Sequence, residues 1–537
     1  MAEANISALT PLRLAGYRSV WSALLCSQMV IWMNTVGAVA VIASLSDSRT
    51  LVALVQTANS TPAILLALLA GAVADMVDRR RLALTLQTWM LLSVIALAVL
   101  TLTEVVTAVE ALLLTFALGA GMAPTFVVYS SLVQDVVPRD VLPQAVALNS
   151  VAVNTARATG PALAGLILAL SSAGALFVVE AALLLVIMAV VFRLRAASAD
   201  RGDPVRLAGA LRAGARFVRF SPPVRAVLVR TGLFSVFASA LWALLPVVSS
   251  RSLGLDSGGF GLLLGCVGGG ALLGATVLPR IRPRMSIDRL IAAATVGLAL
   301  VLVALAFVRN TAVVIAPLLL AGTCWLTVMS SLNTSVQHAA PDWVRARTLA
   351  SFQLVMQGGL AGGSLVWGLL ADAAGEDTAL IVAAAGLAAG IAGAWRWRLA
   401  PGQDADLSPA LAWSEPTPAL DLSPAAGPVL VTVEYEVDRA DRDAFIAAAE
   451  GLGQVRRRDG AFRWNIYEDL QRPGIYVETF VVDSWEEHMR QHSRFTVADV
   501  ELEQRVQAFH RGDGPPAVRH LLRARRADPE PDPPSTG

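Results

Sequence analysis

Apolar runs of about 20 residues recur along this chain as far as Leu399, each long enough to cross the roughly 30 Å hydrocarbon core of a bilayer. In lipid every backbone amide must find its partner within the spanning segment, so runs of this length are read as helices. Bounded by Gly, Pro or charge, they fall at 18–44, 51–74, 82–103, 109–135, 143–170, 173–193, 224–250, 257–279, 287–308, 311–338, 345–371 and 377–398. No such run follows Pro401, so a membrane-embedded, all-α part is expected to precede a water-exposed one. The composition, 55% hydrophobic and 15% charged, is too apolar for an ordinary soluble chain. A formal net charge of +1, with no basic stripe carrying interleaved aromatics, argues against a nucleic-acid partner. The polar N-terminus lacks a short apolar core with a cleavage site, so the first span reads as retained. Cys26, Cys266 and Cys324 all lie inside apolar runs. They offer no disulfide framework or metal spacing, and no metal or cofactor is expected.

The membrane part repeats itself. GAVADMVDRRR at Gly71 returns in weakened form as GATVLPRIRPR at Gly274, an offset of 274 − 71 = 203. In the same register Val133-Gln134 maps onto Val336-Gln337, Pro138 onto Pro341, Gly160 onto Gly363 and Gly165 onto Gly368. Two tandem six-helix units are therefore expected, the internal-repeat plan of many transporters.

Arginines set the orientation. One set of connections carries Arg13, Arg18, Arg79 to Arg81, Arg139, the run from Arg193 to Arg225, Arg280 to Arg289, Arg345, Arg347, Arg396 and Arg398. The alternate set holds mainly acids, including Asp47, Glu104, Glu110, Asp256 and Asp372 to Asp377, against Arg49, Arg251 and Arg309. The positive-inside rule makes the first set cytoplasmic, giving a multi-pass protein of the cell inner membrane with both ends inside.

The expected divisions are a first half over 1–193, a basic connector over 194–223, a second half over 224–399, a linker over 400–426, a soluble domain over 427–524 and a disordered tail over 525–537. LRAGARFVRF in the connector has the spacing of an amphipathic helix, but the connector as a whole reads as a solvated loop that sets topology. The Pro-rich linker reads as a semi-extended tether. In the soluble domain VLVTVEYEV, FRWNIYED, IYVETFVV and AVRHLL read as strands around helical segments, and the order β-α-β-β-α-β predicts an α+β, ferredoxin-like sheet. His488 and His492 stand at i, i+4, but with no third ligand at a recognisable spacing they read as surface histidines.

Gly71 allows two helices to approach closely. Asp75, at a membrane boundary, needs a cationic or helix-N-terminal partner. Small residues combine with a helix-interior proline at Gly160, Pro161, Ala164 and Gly165, permitting close packing and a bend. GAVADMVDRRR resembles the signature loop between the second and third helices of the major facilitator superfamily, and AVALNSVAVNTARATGPALAG over 145–165 resembles its fifth-helix exporter motif. With its soluble tail, the chain to about residue 524 resembles the enterobactin-exporter-like branch, the transmembrane secretion effectors. The tail is similar to the antibiotic-biosynthesis-monooxygenase type of dimeric α/β barrel. The resemblance implies a twelve-helix major facilitator fold and a conformational latch at Gly71, Asp75, Arg79 and Arg80, with its partner near Arg345 to Thr348. It also implies an export motif at Gly160, Pro161 and Gly165, and a homodimer through the C-terminal domain. Met76 and Asp78 depart from the family's basic residue and glycine, and Leu278 replaces the acid in the second copy.

Arg157 falls near the middle of its span, where an arginine costs about 2.5 to 3.5 kcal/mol and must face the bundle interior. Asn149 and Arg157 share one helix face, with Asn154 close by. Gln353 and Gln357 in the second half, Gln28, Trp32 and Asn34 in the first span, and Trp242 and Trp325 complete an expected polar and aromatic cavity. Asp75 and Glu180 are the candidates for proton coupling, since a coupling acid must change its proton affinity between states. These features point to a secondary transporter exporting a small amphipathic siderophore, drug or metabolite, and not to an enzyme, since no constellation demands catalysis; a transporter fused to a monooxygenase-like enzyme and a non-transporting ligand sensor are the alternatives.

Overall fold

Long helices fill the first 400 residues of the computed structural model, which describes residues 10–76, 79–138, 141–193, 207–394, 396–399, 406–410 and 422–524. The first half contains α1 (Ala15–Leu45), α2 (Arg49–Met76), α3 (Arg79–Leu102), α4 (Ala108–Val136), α5 (Leu142–Leu170) and α6 (Ala173–Arg193). After α7 (Leu207–Phe220) come α8 (Pro222–Val247), α9 (Ser257–Ile281), α10 (Ile287–Phe307), α11 (Thr311–His338), α12 (Asp342–Ala374) and α13 (Glu376–Ala394). Among the described residues, nine helices are long and apolar enough to cross a membrane. Their outer faces leave large apolar side chains uncovered, such as Leu92, Val99, Leu185 and Leu300, as expected where lipid is the solvent.

The offset of 203 read from the motifs also holds for element starts, since α4 begins at 108 and α11 at 311, and α6 begins at 173 and α13 at 376. Local signals set the helix ends. Thr107 and Glu110 form a reciprocal capping box on α4, and Asp256 Oδ1 accepts the Gly259 amide at the start of α9.

The chain divides into two compact units. One comprises Met1–Leu207, Ala226–Val336 and Leu349–Ala400; the other comprises Ala208–Arg225, Gln337–Thr348 and Pro401–Gly537. The second unit contains α14 (Arg442–Asp459), α15 (Trp485–Arg494) and α16 (Val497–Gln507) with a four-stranded sheet. Its strands are β1 (Val429–Glu436), β2 (Arg463–Glu468), β3 (Ile475–Val482) and β4 (Ala517–Leu522), ordered β2-β3-β1-β4 with every pairing antiparallel. Burial alternates along β1 and β3, and Val431, Val433, Tyr435, Phe445, Leu452, Trp464 and Phe480 fill the space between sheet and helices. Gly453 is required there, because a Cβ would lie 2.5 Å from the Trp464 ring.

Two sequence expectations need correction. Residues 207–220 of the connector are helical, with Ala213 and Phe217 buried, because the apolar stripe finds partners elsewhere in the same unit. The described ends of the linker do not run free. The Ala410 amide bonds to the Phe495 carbonyl at 2.8 Å, and the Ala426 carbonyl accepts from the Trp485 amide at 2.7 Å. Backbone donors left bare in a tether are satisfied by docking on the domain.

Candidate functional site

The site begins with Arg157 on α5. Its guanidinium lies 5.4 Å from the Trp32 ring of α1, and that ring is 5.8 Å from Trp242 of α8. Trp242 meets Trp325 of α11 edge-on at 5.3 Å, and Phe234 of α8 lies 5.7 Å beyond. A line of aromatic rings thus runs from a cation in the first half into the second. Among the described residues, the buried Arg157 Nε and Trp242 Nε1 have no hydrogen-bond partner. A buried donor without an acceptor costs about 1 to 3 kcal/mol, so these two atoms mark where an acceptor-bearing aromatic guest would gain most. Gly160 makes the approach possible, since a Cβ there would lie 2.9 Å from Trp32 Cβ.

Asn34, also expected in the cavity, lies elsewhere. Asn34 is fully buried and donates to Glu180 of α6 at 3.2 Å, away from Trp32. The reason is helical geometry: two residues apart means about 200° around the axis, so Trp32 and Asn34 occupy opposite faces. Glu180 is accordingly buried against α1. Asn149 accepts from the Tyr17 hydroxyl at 3.1 Å, tying α5 to α1. Gln28 and Gln357 are half-buried and Gln353 is exposed. Arg80 donates to the Phe192 carbonyl and stacks on the Phe192 ring at 5.1 Å, so it engages α6 of its own half. Gly71, Asp75, Arg79 and Asn154 lie outside the residues whose side chains are described.

The seams between the halves repeat with the same offset. Gly165 of α5 lies against α9, where its Cβ would meet the Gly258 carbonyl at 2.8 Å, and Pro161 presents its carbonyl to Gly261. The equivalent Gly368 of α12 lies against α2, its Cβ 2.7 Å from Ala53 Cβ. Gly160 packs on α1 and its counterpart Gly363 packs on α8, where a Cβ would lie 2.5 Å from the Val236 carbonyl. This exchange of partners is what an approximate two-fold relation between the halves requires.

A polar lock at one end of the α2–α12 seam was missed in the sequence. Asp372 accepts from the Arg49 amide at 2.8 Å, the Thr50 amide at 3.0 Å, the Thr50 hydroxyl at 2.6 Å and the Ser48 hydroxyl at 3.1 Å. Beside it Arg49 pairs with Glu376 at 2.9 Å, and Arg251 donates to the Asp47 carbonyl at 2.6 Å. The carboxylate of one half thus caps a helix of the other. Its only sequence signal was the presence of acids and arginines in connections already read for topology.

In the second unit, Glu478 is buried and accepts from Tyr435, Trp464 and Arg456, and Arg456 also bonds Glu503 at 2.9 Å. His488 and His492 are not surface histidines. The face of α15 that bears them packs inward, with the ring centroids 5.0 Å apart and His520 of β4 4.8 Å from His488. Burial pushes His488 down to about 3 and His492 down to about 4, so both are neutral at physiological pH. No group of three or more His, Cys, Asp or Glu among the described residues is arranged to hold a metal ion. Glu487 joins α15 to the connector. It accepts from Arg216 of α7 at 2.9 Å and from Arg494 at 2.8 Å. Burial raises its carboxyl, but Arg494 and Arg216 outweigh burial and hold it below the ordinary carboxylate range. Arg494 in turn lies 4.6 Å from the ring of Trp343, in the first turn of α12, and Trp343 meets Phe217 of α7 edge-on at 5.6 Å.

Residues 6–528 match the family described as transmembrane secretion effector. Among solved structures, the chain is similar to the nucleoside transporter NupG, with 15% identity over 71% of this chain and 99% of that one, at a TM-score of 0.54. A bacterial homolog of the human lysosomal transporter Spinster, inward-facing and unoccupied, shares 13% identity over 71% and 97%, at 0.57. A D-xylose–proton symporter shares 14% identity over 73% and 99%, at 0.59. At these identities the likeness is one of fold. No curated protein matches the sequence.

Proposed function

This chain belongs to the transmembrane secretion effector family of major facilitator transporters, and on that premise we propose that it is a twelve-span exporter working by alternating access. The observation that carries the proposal is the pair of offset-related seams, α5–α9 and α2–α12, enclosing one cation-and-aromatic site between the halves. Two pseudo-equivalent halves closing on a shared centre can expose it to either side in turn. With the arginine-rich ends cytoplasmic, the Asp372 lock lies at the outer end, and the present state is closed to the outside.

Arg157 and the indoles favour an amphipathic substrate that carries an aromatic ring and a carboxylate, phenolate or similar acceptor, a description met by siderophores, drugs and secondary metabolites. The proton is the coupling ion proposed here, with Asp75 and the buried Glu180–Asn34 pair as its candidate carriers. The β2-β3-β1-β4 order supports a ferredoxin-like C-terminal domain of the monooxygenase-barrel type. That domain acts as a regulatory clamp, because its Glu487–Arg494 pair holds both α7 and the first turn of α12. The test is uptake of radiolabelled aromatic acids into inverted membrane vesicles. Wild type accumulates substrate, whereas Arg157→Ala and Asp75→Asn do not; full transport by both variants would overturn the site assignment.

A further inference from the structure

The second half contains a cavity of about 500 Å³ between α8, α10 and α13, which touches the central aromatic line at Phe234 but is lined mainly by other residues. Its wall is apolar, formed by Phe234, Phe237, Ile291, Leu387 and Ile391, while three guanidiniums and one carboxylate line it: Arg230, Arg289, Arg398 and Asp288. Arg230 is buried and paired with Asp288, which also receives the Leu399 amide at 3.3 Å. Arg289 and Arg398 are exposed and form no ion pair among the described residues. The cavity therefore carries unbalanced positive charge above a greasy wall. On α10 and α13 themselves, Val296, Leu300, Ile381 and Val382 are exposed, so both helices also present apolar faces to the acyl region.

We propose that this groove binds an anionic phospholipid, its phosphate between Arg289 and Arg398 and the upper part of an acyl chain along the wall of Phe237, Ile291 and Leu387. Two features select the occupant. A cationic rim at the end of the bundle assigned to the cytoplasm meets the leaflet that is rich in anionic headgroups. A soluble anion would leave the apolar wall uncovered, whereas a phospholipid covers it. The leaflet assignment rests on the orientation proposed above, but binding measured in detergent is independent of both orientation and transport.

The experiment is native mass spectrometry of the full-length protein titrated with phosphatidylglycerol, phosphatidylcholine or glycerol 3-phosphate. Wild type binds phosphatidylglycerol in preference to phosphatidylcholine. The pair Arg289→Gln with Arg398→Gln lowers that preference by roughly 10- to 30-fold, about one order of magnitude or slightly more for two interfacial charges. A second variant keeps the test independent of charge and folding. Gly390 lines the cavity and a Cβ there meets nothing within 4 Å, so Gly390→Leu enters the groove from an unobstructed Cβ and displaces the lipid. Equal retention of the two lipids, undiminished phosphatidylglycerol binding by both variants, or equal occupancy by glycerol 3-phosphate would each overturn the assignment.

Discussion

Asp372→Ala should open the end of the bundle that Asp372 now closes. Its carboxylate accepts four hydrogen bonds from Ser48, Arg49 and Thr50, all of which exist only while the end of α12 abuts the start of α2. Loss of a capping side chain costs about 0.5 to 2 kcal/mol, and loss of a favourable charge at a helix N-terminus about 0.3 to 1 kcal/mol. Because Asp372 is exposed, solvent screening keeps the total near 1 to 2 kcal/mol. The whole loss falls on the closed state, so the closed-to-open ratio should drop roughly 5- to 30-fold, and a tenfold preference should become near parity. The assay is a spin-label distance between Val105 and Val313, two exposed positions at this end in opposite halves, after replacement of Cys26, Cys266 and Cys324. A longer distance should grow in for Asp372→Ala and more weakly for Asp372→Asn, which keeps one carbonyl acceptor. A folded Asp372→Ala protein with the wild-type distribution would refute the lock.

Three further outcomes follow from the same geometry. Gly165→Ala puts a methyl group 2.8 Å from the Gly258 carbonyl and should cost about 1 to 3 kcal/mol in thermal unfolding, whereas Gly362→Ala, which meets nothing within 4 Å, should not. Arg216→Ala removes one of the three arginines paired with Glu487 and the one that reaches it from α7, and should speed hydrogen exchange in both 207–220 and 484–494 of the intact protein, with Arg219→Ala as the inert control. His488 has a folded-state value near 3, below its unfolded one, so its contribution is present at neutral pH and is lost progressively below about pH 6.5. Acidification to pH 5 should cost roughly 2 kcal/mol through His488, with His492 adding to the loss, read as increased exchange in 484–494, and His488→Phe should weaken that dependence while leaving the His492 share.

The span runs and the offset of 203 were legible because lipid fixes helix length and duplication preserves register. The strands of the C-terminal domain were legible because one face of each is buried, which imposes alternation. Asn34 was misplaced although its sequence position held the answer, since a separation of two residues from Trp32 already puts the two on opposite faces of one helix. The histidine cluster was beyond local reading. Its third member, His520, comes from a strand 28 residues beyond His492 and approaches only when the sheet closes. The connector helix was discounted for the same reason: Phe217 has no visible use until Trp343, 126 residues later, packs against it.

The asymmetry of the seams explains why only one of them is polar. By the offset, Asp372 corresponds to Ala169 at the end of α5, and Asp75 corresponds to Leu278 on α9. Both acids thus belong to the α2–α12 pair, at opposite ends, and the α5–α9 pair has neither. The start of α9 needs no help, because Asp256 caps it from its own chain segment at 2.8 Å. The start of α2 has only Ser48, whose hydroxyl receives the Leu51 amide at 3.3 Å, and it takes its carboxylate from the other half. A cap supplied from its own segment stabilises a helix in every conformation, whereas one supplied across the seam stabilises only the closed state. Adding Ser48→Asp to Asp372→Ala separates the two roles. It should restore the hydrogen-exchange protection of the first turn of α2, yet leave the Val105–Val313 distance in its opened distribution. If the added aspartate also restores the short distance, the carboxylate acts on helix stability alone and the seam is closed by its glycines.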